Sequence, residues 1–168
     1  LDENVTPTFN FIEQVDAGNA LFIDDKAYVT MPQAIAGLRG MTVSYWAYLD
    51  ANNYVNDNRI FSSGGTSETQ IVLWTDNTDG IAFVVKGASD GGRGRINTYY
   101  KPTGWVQITG TWSEASGTMR VYANGVKIGE APYAGSGDGL YDAGDEMYLG
   151  RDGNFGNPNK FVGRVDEF

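Results

Sequence analysis

Cysteine and histidine are both absent from the 168 residues, and this double absence excludes more chemistry than any residue present can establish. Without cysteine there is no disulfide framework and no thiolate nucleophile or ligand. Without either residue the usual zinc donor sets cannot be assembled, and every mechanism that turns on an imidazole acid or base is excluded. No apolar run approaches the roughly 18 residues of a membrane-crossing helix, so no membrane insertion is expected. The opening LDENVTPTF lacks the pattern of a signal peptide, and the chain reads as a matured or excised segment. Positive charge is also scarce. Twelve Lys and Arg stand against 21 Asp and Glu, a net charge of -9, which repels nucleic acid and anionic membrane surfaces but offers carboxylates to hard cations such as calcium.

What is present is a pattern of strands and turns. Hydrophobic residues make up 41% of the chain, and its 23 glycines give the turn density of a sheet protein. Segment 104–129, GWVQITGTWSEASGTMRVYANGVKIG, describes three antiparallel strands, the last two joined at Asn124-Gly125, a strong hairpin signal. A two-residue turn there sets Ala123 opposite Val126 and Val121 opposite Ile128, with Arg120, Tyr122 and Lys127 on the other face. Similar runs at 20–24, 28–31, 41–49, 59–63, 70–75, 81–86, 95–99, 105–112, 118–123, 126–131, 146–150 and 161–168 make about a dozen short strands. That spacing predicts an all-β, two-sheet antiparallel sandwich forming a single domain over 1–168. In 41–49 the residues Met41, Val43, Tyr45, Ala47 and Leu49 share one side, and Trp46 and Trp112 are expected in the core. Residues 32–38 could supply one or two helical turns.

Three segments together resemble a known family. ALFIDDKAYVTMP at 20–32, MTVSYWAYLD at 41–50, and the 104–129 hairpin followed by MYLGRDG and FVGRVDEF resemble laminin-G-like domains of the concanavalin A-like lectin and glucanase superfamily. The resemblance runs in the right order over nearly the whole chain and implies a jelly roll. It also implies a structural calcium between Asp24 and Asp166. Two departures stand out: Asp25 takes a position where the family often has glycine, and the chain stops at Phe168 where the family usually continues, so the last strand is expected to be clipped or completed by other means.

The superfamily includes glycosidases, whose paired carboxylates often lie on one strand as Glu-x-Asp-x-Glu. No glutamate of this chain has another four or five residues on, and lyases of similar fold commonly rely on histidine, so no catalysis is expected. The acidic cluster Asp142, Asp145 and Glu146 does not fit the pattern either. A sugar site needs an aromatic face and a few polar groups to fix hydroxyls. The candidates are Trp74, Asp90, Arg93, Tyr99, Tyr100, Arg151 and Asp152, which lie at strand ends or in loops. The expectation is a non-catalytic, calcium-stabilised, extracellular or cell-surface module whose partner is a glycan or polysaccharide, with other domains of a parent protein as further partners. The rival is a structural or adhesive protein-protein module, and the test between them is whether exposed aromatics converge on a cleft or spread over a flat surface.

Overall fold

The computed structural model describes residues 20–24, 27–32, 34–54, 57–64, 69–87, 93–135, 137–140, 146–152 and 160–168. The expected strands are all present: β1 (Leu21–Ile23), β2 (Val29–Met31), β3 (Gly40–Leu49), β4 (Asn58–Gly64), β5 (Thr69–Asp76), β6 (Gly80–Lys86), β7 (Arg93–Asn97), β8 (Gly104–Ser113), β9 (Thr118–Ala123), β10 (Val126–Pro132), β11 (Met147–Leu149) and β12 (Gly163–Asp166). They form two six-stranded antiparallel sheets. The first runs β1-β12-β3-β8-β9-β10 and the second β2-β11-β4-β5-β6-β7, which is a jelly-roll sandwich.

Alternation along each strand builds the core between the sheets. Tyr45, Ala47 and Leu49 of β3, Val106, Ile108 and Trp112 of β8, and Leu73, Phe83 and Phe61 from the other sheet are all buried there. Each fully buried large apolar side chain stabilises the fold by about 1.5–3 kcal/mol relative to exposure. Trp112 is in the core as expected. Trp46 is not: the two-residue period that turns Tyr45 and Ala47 inward turns Trp46 outward, where it is half-buried on the outer face of the first sheet.

The Asn124-Gly125 turn forms with φ of 49° and 75°, the left-handed pair that a type I′ hairpin demands. Register agrees at Ala123↔Val126 and Tyr122↔Lys127, then shifts, so Val121 faces Gly129 and not Ile128. The cause lies across the sandwich edge. A Cβ on Gly129 would stand 2.6 Å from Ile96 Cγ2 of β7, so the bulge brings the one side-chain-free residue to the point of closest approach.

Among the described residues, 32–38 contain no helix. Ala36 and Gly37 make a turn closed by the Leu38 N–H on Ile35 O (3.2 Å), and the Gly37 N–H donates to Leu140 O (2.9 Å) and the Leu140 N–H to Leu38 O (2.9 Å), so the backbone goes on to pair with a distant segment and not to extend a helix. One short 3-10 helix occurs instead at Ala51–Tyr54. Asp50 and Asn53 cap it reciprocally: the Asn52 N–H donates to Asp50 Oδ1 (2.7 Å) and the Asp50 N–H to Asn53 Oδ1 (2.8 Å).

Candidate functional site

The outer face of the second sheet carries a buried charged cluster, and a bulge in β4 builds it. Arg59 pairs with Trp74 and Phe61 with Leu73, leaving Ile60 as the extra residue. In a regular strand Arg59 would share the inward face with Phe61; the bulge turns it outward beside Trp74. The Arg59 guanidinium lies 4.7 Å from the indole centroid and that of Arg95, from β7, lies 4.9 Å from it. Two cations on one indole repel unless carboxylates accompany them. Asp57 lies 3.0 Å and Asp152 3.6 Å from Arg59, and Asp79 pairs with Arg95. Trp74, only 3% exposed, thus belongs to a second apolar cluster with Val72, Ala82 and Val84.

Asp76 anchors the cluster's end. It accepts the Trp74 indole N–H (3.1 Å) and the backbone N–H groups of Thr78 (2.7 Å) and Asp79 (2.5 Å). Burial opposes its charge, but these donors outweigh burial and hold its carboxyl below the usual range. Burial pushes Asp57 up, against the attraction of Arg59 and with the help of a hydrogen bond to Asp76; burial likewise raises Asp79 against Arg95.

A different kind of surface lies at the end of the sandwich, where the 3-10 helix, the β5–β6 turn and the β7–β8 loop meet. Ala51, Tyr54, Asn77, Lys101 and Thr103 line a hollow of about 400 Å³. Its floor is fixed by the Tyr54 hydroxyl, which donates to Pro102 O (2.6 Å), and the Lys101 ammonium donates to Asn77 O. Burial, then the nearby Tyr100 hydroxyl, pushes the Tyr54 phenol up. The loop is held by backbone bonds: Tyr99 N–H to Asp79 O (2.7 Å) and Ile81 N–H to Tyr100 O (3.0 Å). Gly80 permits this, because a Cβ there would stand 2.6 Å from Tyr100 O. Tyr99 has φ of 58°, a strained conformation for a tyrosine, and is 70% exposed.

The sequence candidates therefore separate. Tyr99 and Tyr100 immediately precede Lys101 in the loop whose residues Lys101 and Thr103 line the hollow, and do not line it themselves. Arg93 is exposed on edge strand β7, on the same outward face as Arg95. Arg151 is buried, its guanidinium 4.5 Å from the Tyr28 ring and 5.8 Å from the Tyr148 ring, with Nε donating to Asp152 O (3.0 Å). Trp74 and Asp152 are buried parts of the Arg59 cluster and present no open platform. Asp90, Asp142 and Asp145 lie outside the described residues.

Asp24 and Asp166 do not fit one calcium ion. In the β1–β12 ladder Leu21 faces Val165 and Ile23 faces Gly163, so Asp24 lies beyond the Gly163 end and Asp166 beyond the Val165 end. Four residues of strand separate them, about 14 Å at ~3.4 Å per residue, several times the span of one ion's ligand shell. Each carboxylate serves local backbone: Asp24 accepts the Ala27 N–H (2.8 Å) and Asp166 the Glu167 N–H (2.8 Å). The expected pairing is corrected by the antiparallel register. Among the described residues, no group of three or more acidic side chains is arranged to hold a metal.

Sequence reasoning missed Arg59, Arg95, Asp57, Asp76 and the hollow. A signal for the Asp76 turn existed, since Asp76-Asn77-Thr78-Asp79-Gly80 reads as a hairpin turn whose first Asp accepts the following N–H groups. The bulge that delivers Arg59 leaves no such trace.

Comparison with known proteins agrees with this architecture. No curated protein matches the chain in sequence. A native heptameric SAP-like pentraxin from Limulus polyphemus superposes with a TM-score of 0.60 at 18% identity, covering 83% of this chain and 67% of that one. Domain 4 of AbnA, a GH43 extracellular arabinanase from Geobacillus stearothermophilus solved in complex with arabinotriose, gives 0.62 at 18% identity, covering 88% and 67%. Domains LG4-5 of the mouse laminin alpha1 chain give 0.58 at 16%, covering 88% of this chain and 39% of that one. At such identities these likenesses show the fold. Among the described residues no helix is long and apolar enough to cross a membrane. Residues 24–168 match the Laminin_G_3 profile, and the chain belongs to that family of the Concanavalin A-like lectin/glucanases superfamily.

Proposed function

We propose that the chain is a non-catalytic carbohydrate-binding module of a secreted or cell-surface protein, and that it takes a short glycan at the end-of-sandwich hollow. The observation that carries this reading is the strained, 70% exposed Tyr99 with Tyr100 beside it, in the loop that leads into a hollow of about 400 Å³. An exposed tyrosine ring offers a surface to the apolar face of a sugar, and Lys101, Asn77 and Thr103 supply polar groups for hydroxyls. The arabinotriose complex of the similar Geobacillus domain supports a glycan as the ligand class.

The reading without turnover rests on the sequence: no glutamate has another four or five residues on, and the chain has no histidine. Calcium has no part in the reading, since Asp24 and Asp166 do not converge. The test is titration calorimetry against soluble arabino-, xylo-, gluco-, galacto- and manno-oligosaccharides, with an assay for released reducing ends. Saturable binding of at least one series without product release is the expected result; binding of none, or sustained turnover, contradicts the reading.

A further inference from the structure

The hollow at the end of the sandwich has three walls, and each is tied to the next. The Thr75 hydroxyl donates to Asn53 O (2.5 Å), joining β5 to the 3-10 helix, and the Tyr54 hydroxyl donates to Pro102 O (2.6 Å), joining that helix to the β7–β8 loop. The loop returns to the β5–β6 turn through the Lys101 ammonium on Asn77 O and the Tyr99 N–H on Asp79 O (2.7 Å). Residues 77–79 of that turn lie outside the strands, beyond Asp76↔Gly80, the last pair of the β5–β6 ladder. Two of their three N–H groups end on one atom: Asp76 Oδ1 accepts from Thr78 (2.7 Å) and from Asp79 (2.5 Å). The turn therefore carries two attachments of the loop, and Asp76 holds the turn.

Asp76 is suited to this task as an anion. Those two N–H groups and the Trp74 indole N–H on Oδ2 (3.1 Å) all donate, and a bond to an ionised carboxylate is about twice as strong as one between neutral groups. Asp76 is 8% exposed, so water offers little in their place. Asp57, ahead of β4, and Asp79, in the turn, hydrogen-bond with its carboxyl, and Arg59 of β4 and Arg95 of β7 pair with those two. Acid neutralises the neighbours first: burial raises Asp57 and Asp79, whereas the donors hold Asp76 below the usual carboxylate range. The turn keeps its anchor through mild acid and loses it only below that range.

We propose that Asp76 is the positioning residue of the hollow: its carboxylate fixes the 76–79 turn and, through Asn77 and Asp79, the Lys101 side of the rim where a ligand docks. This role rests on the reading of the hollow as the glycan site, and two readouts keep the two apart. The first is the affinity, by titration calorimetry, of the soluble oligosaccharide that binds best, followed from neutral pH to below the usual carboxylate value. The second needs no ligand and follows the amide resonances of Asn77, Lys101 and Thr103 over the same titration. Wild-type affinity should hold through mild acid and fall several-fold below the usual carboxylate value, with the Lys101 and Thr103 resonances moving along the same curve. Asp76→Ala should lose affinity several-fold at every pH. Asp76→Asn, whose amide Oδ1 still accepts the two backbone N–H groups, should recover part of that loss and show neither the fall in acid nor the moving resonances. Circular dichroism checks folding at each pH, and if Asp76→Ala does not fold, the wild type and Asp76→Asn decide. Equal affinity in wild type and Asp76→Ala, a fall in acid that survives in Asp76→Asn, or Lys101 and Thr103 resonances that do not follow Asp76 overturns the proposal. Binding of no oligosaccharide at any pH contradicts the glycan reading instead, and the resonances alone then decide the positioning role.

Discussion

Asp57 and Asp76 occupy neighbouring positions one step beyond the Asn58↔Thr75 pair of the β4–β5 ladder and share a hydrogen bond, yet their acidities move apart. Burial raises Asp57, so it favours the folded state while protonated, and that contribution is lost as pH climbs through its raised value. Asp76 is lowered: its contribution is present above the usual carboxylate value and is lost as pH falls through its own. Asp57→Asn should therefore gain melting temperature relative to wild type as pH rises above the usual carboxylate value, while the deficit of Asp76→Asn should shrink as pH falls below it. Parallel melting curves for wild type and both variants through that value would contradict the assignment.

Arg59 holds two carboxylates and one face of an indole. Arg59→Ala leaves the buried Asp152 without that cation and uncovers Trp74, and should cost about 2–3 kcal/mol in urea unfolding. Arg59→Lys should recover part of this loss, since an ammonium restores the charge but not the planar cover over the ring. A loss within about 0.5 kcal/mol, the ordinary scatter of surface changes, would show that the cluster contributes little.

Gly80 links stability to the proposed site. Alanine there is strained by φ of 68° and by the backbone of Tyr100 at 2.6 Å, so Gly80→Ala should displace the 98–103 loop. The expected result is a melting temperature lower by several degrees together with weaker oligosaccharide binding. Gly129→Ala, whose Cβ would stand 2.6 Å from Cγ2 of the buried Ile96 and 3.2 Å from Cγ2 of Thr98, should lower stability by about 1–3 kcal/mol.

Strand positions were legible because a two-residue alternation of apolar residues has one physical meaning, and the Asn124-Gly125 turn was legible because few residues tolerate its backbone. The site was less so. Tyr99 and Tyr100 could be picked out by their place at a strand end, but the burial of Trp74 depends on arginines delivered by two other strands, one of them turned outward by an unannounced bulge at Ile60. Asp57 precedes β4 and Asp76 ends β5, so a search for paired glutamates along one strand passes over them. Ile128 was set opposite Val121 because the pattern carries no sign of the close approach of β7 that places Gly129 there.

The antiparallel register that separates Asp24 from Asp166 has its own consequence. Asp24→Ala and Asp166→Ala should act independently, their effects on melting temperature adding within about 0.5 kcal/mol in the double variant. Neither should alter the difference between melting in calcium and in chelator. A calcium-dependent shift removed by either single variant would restore the two residues to one site.

Glycan binding at the end-of-sandwich hollow is tested most directly by following the backbone amide resonances of the labelled protein during titration with arabinotriose and with whichever soluble oligosaccharide binds best by calorimetry. The account predicts saturable shifts concentrated at Ala51–Tyr54, Asn77–Asp79 and Tyr99–Thr103, reduced about 3- to 10-fold in affinity by Tyr99→Ala, the equivalent of the roughly 0.5–1.5 kcal/mol expected of one aromatic contact. Shifts confined to other parts of the sandwich, or an affinity unchanged by Tyr99→Ala and Tyr100→Ala together, would contradict it.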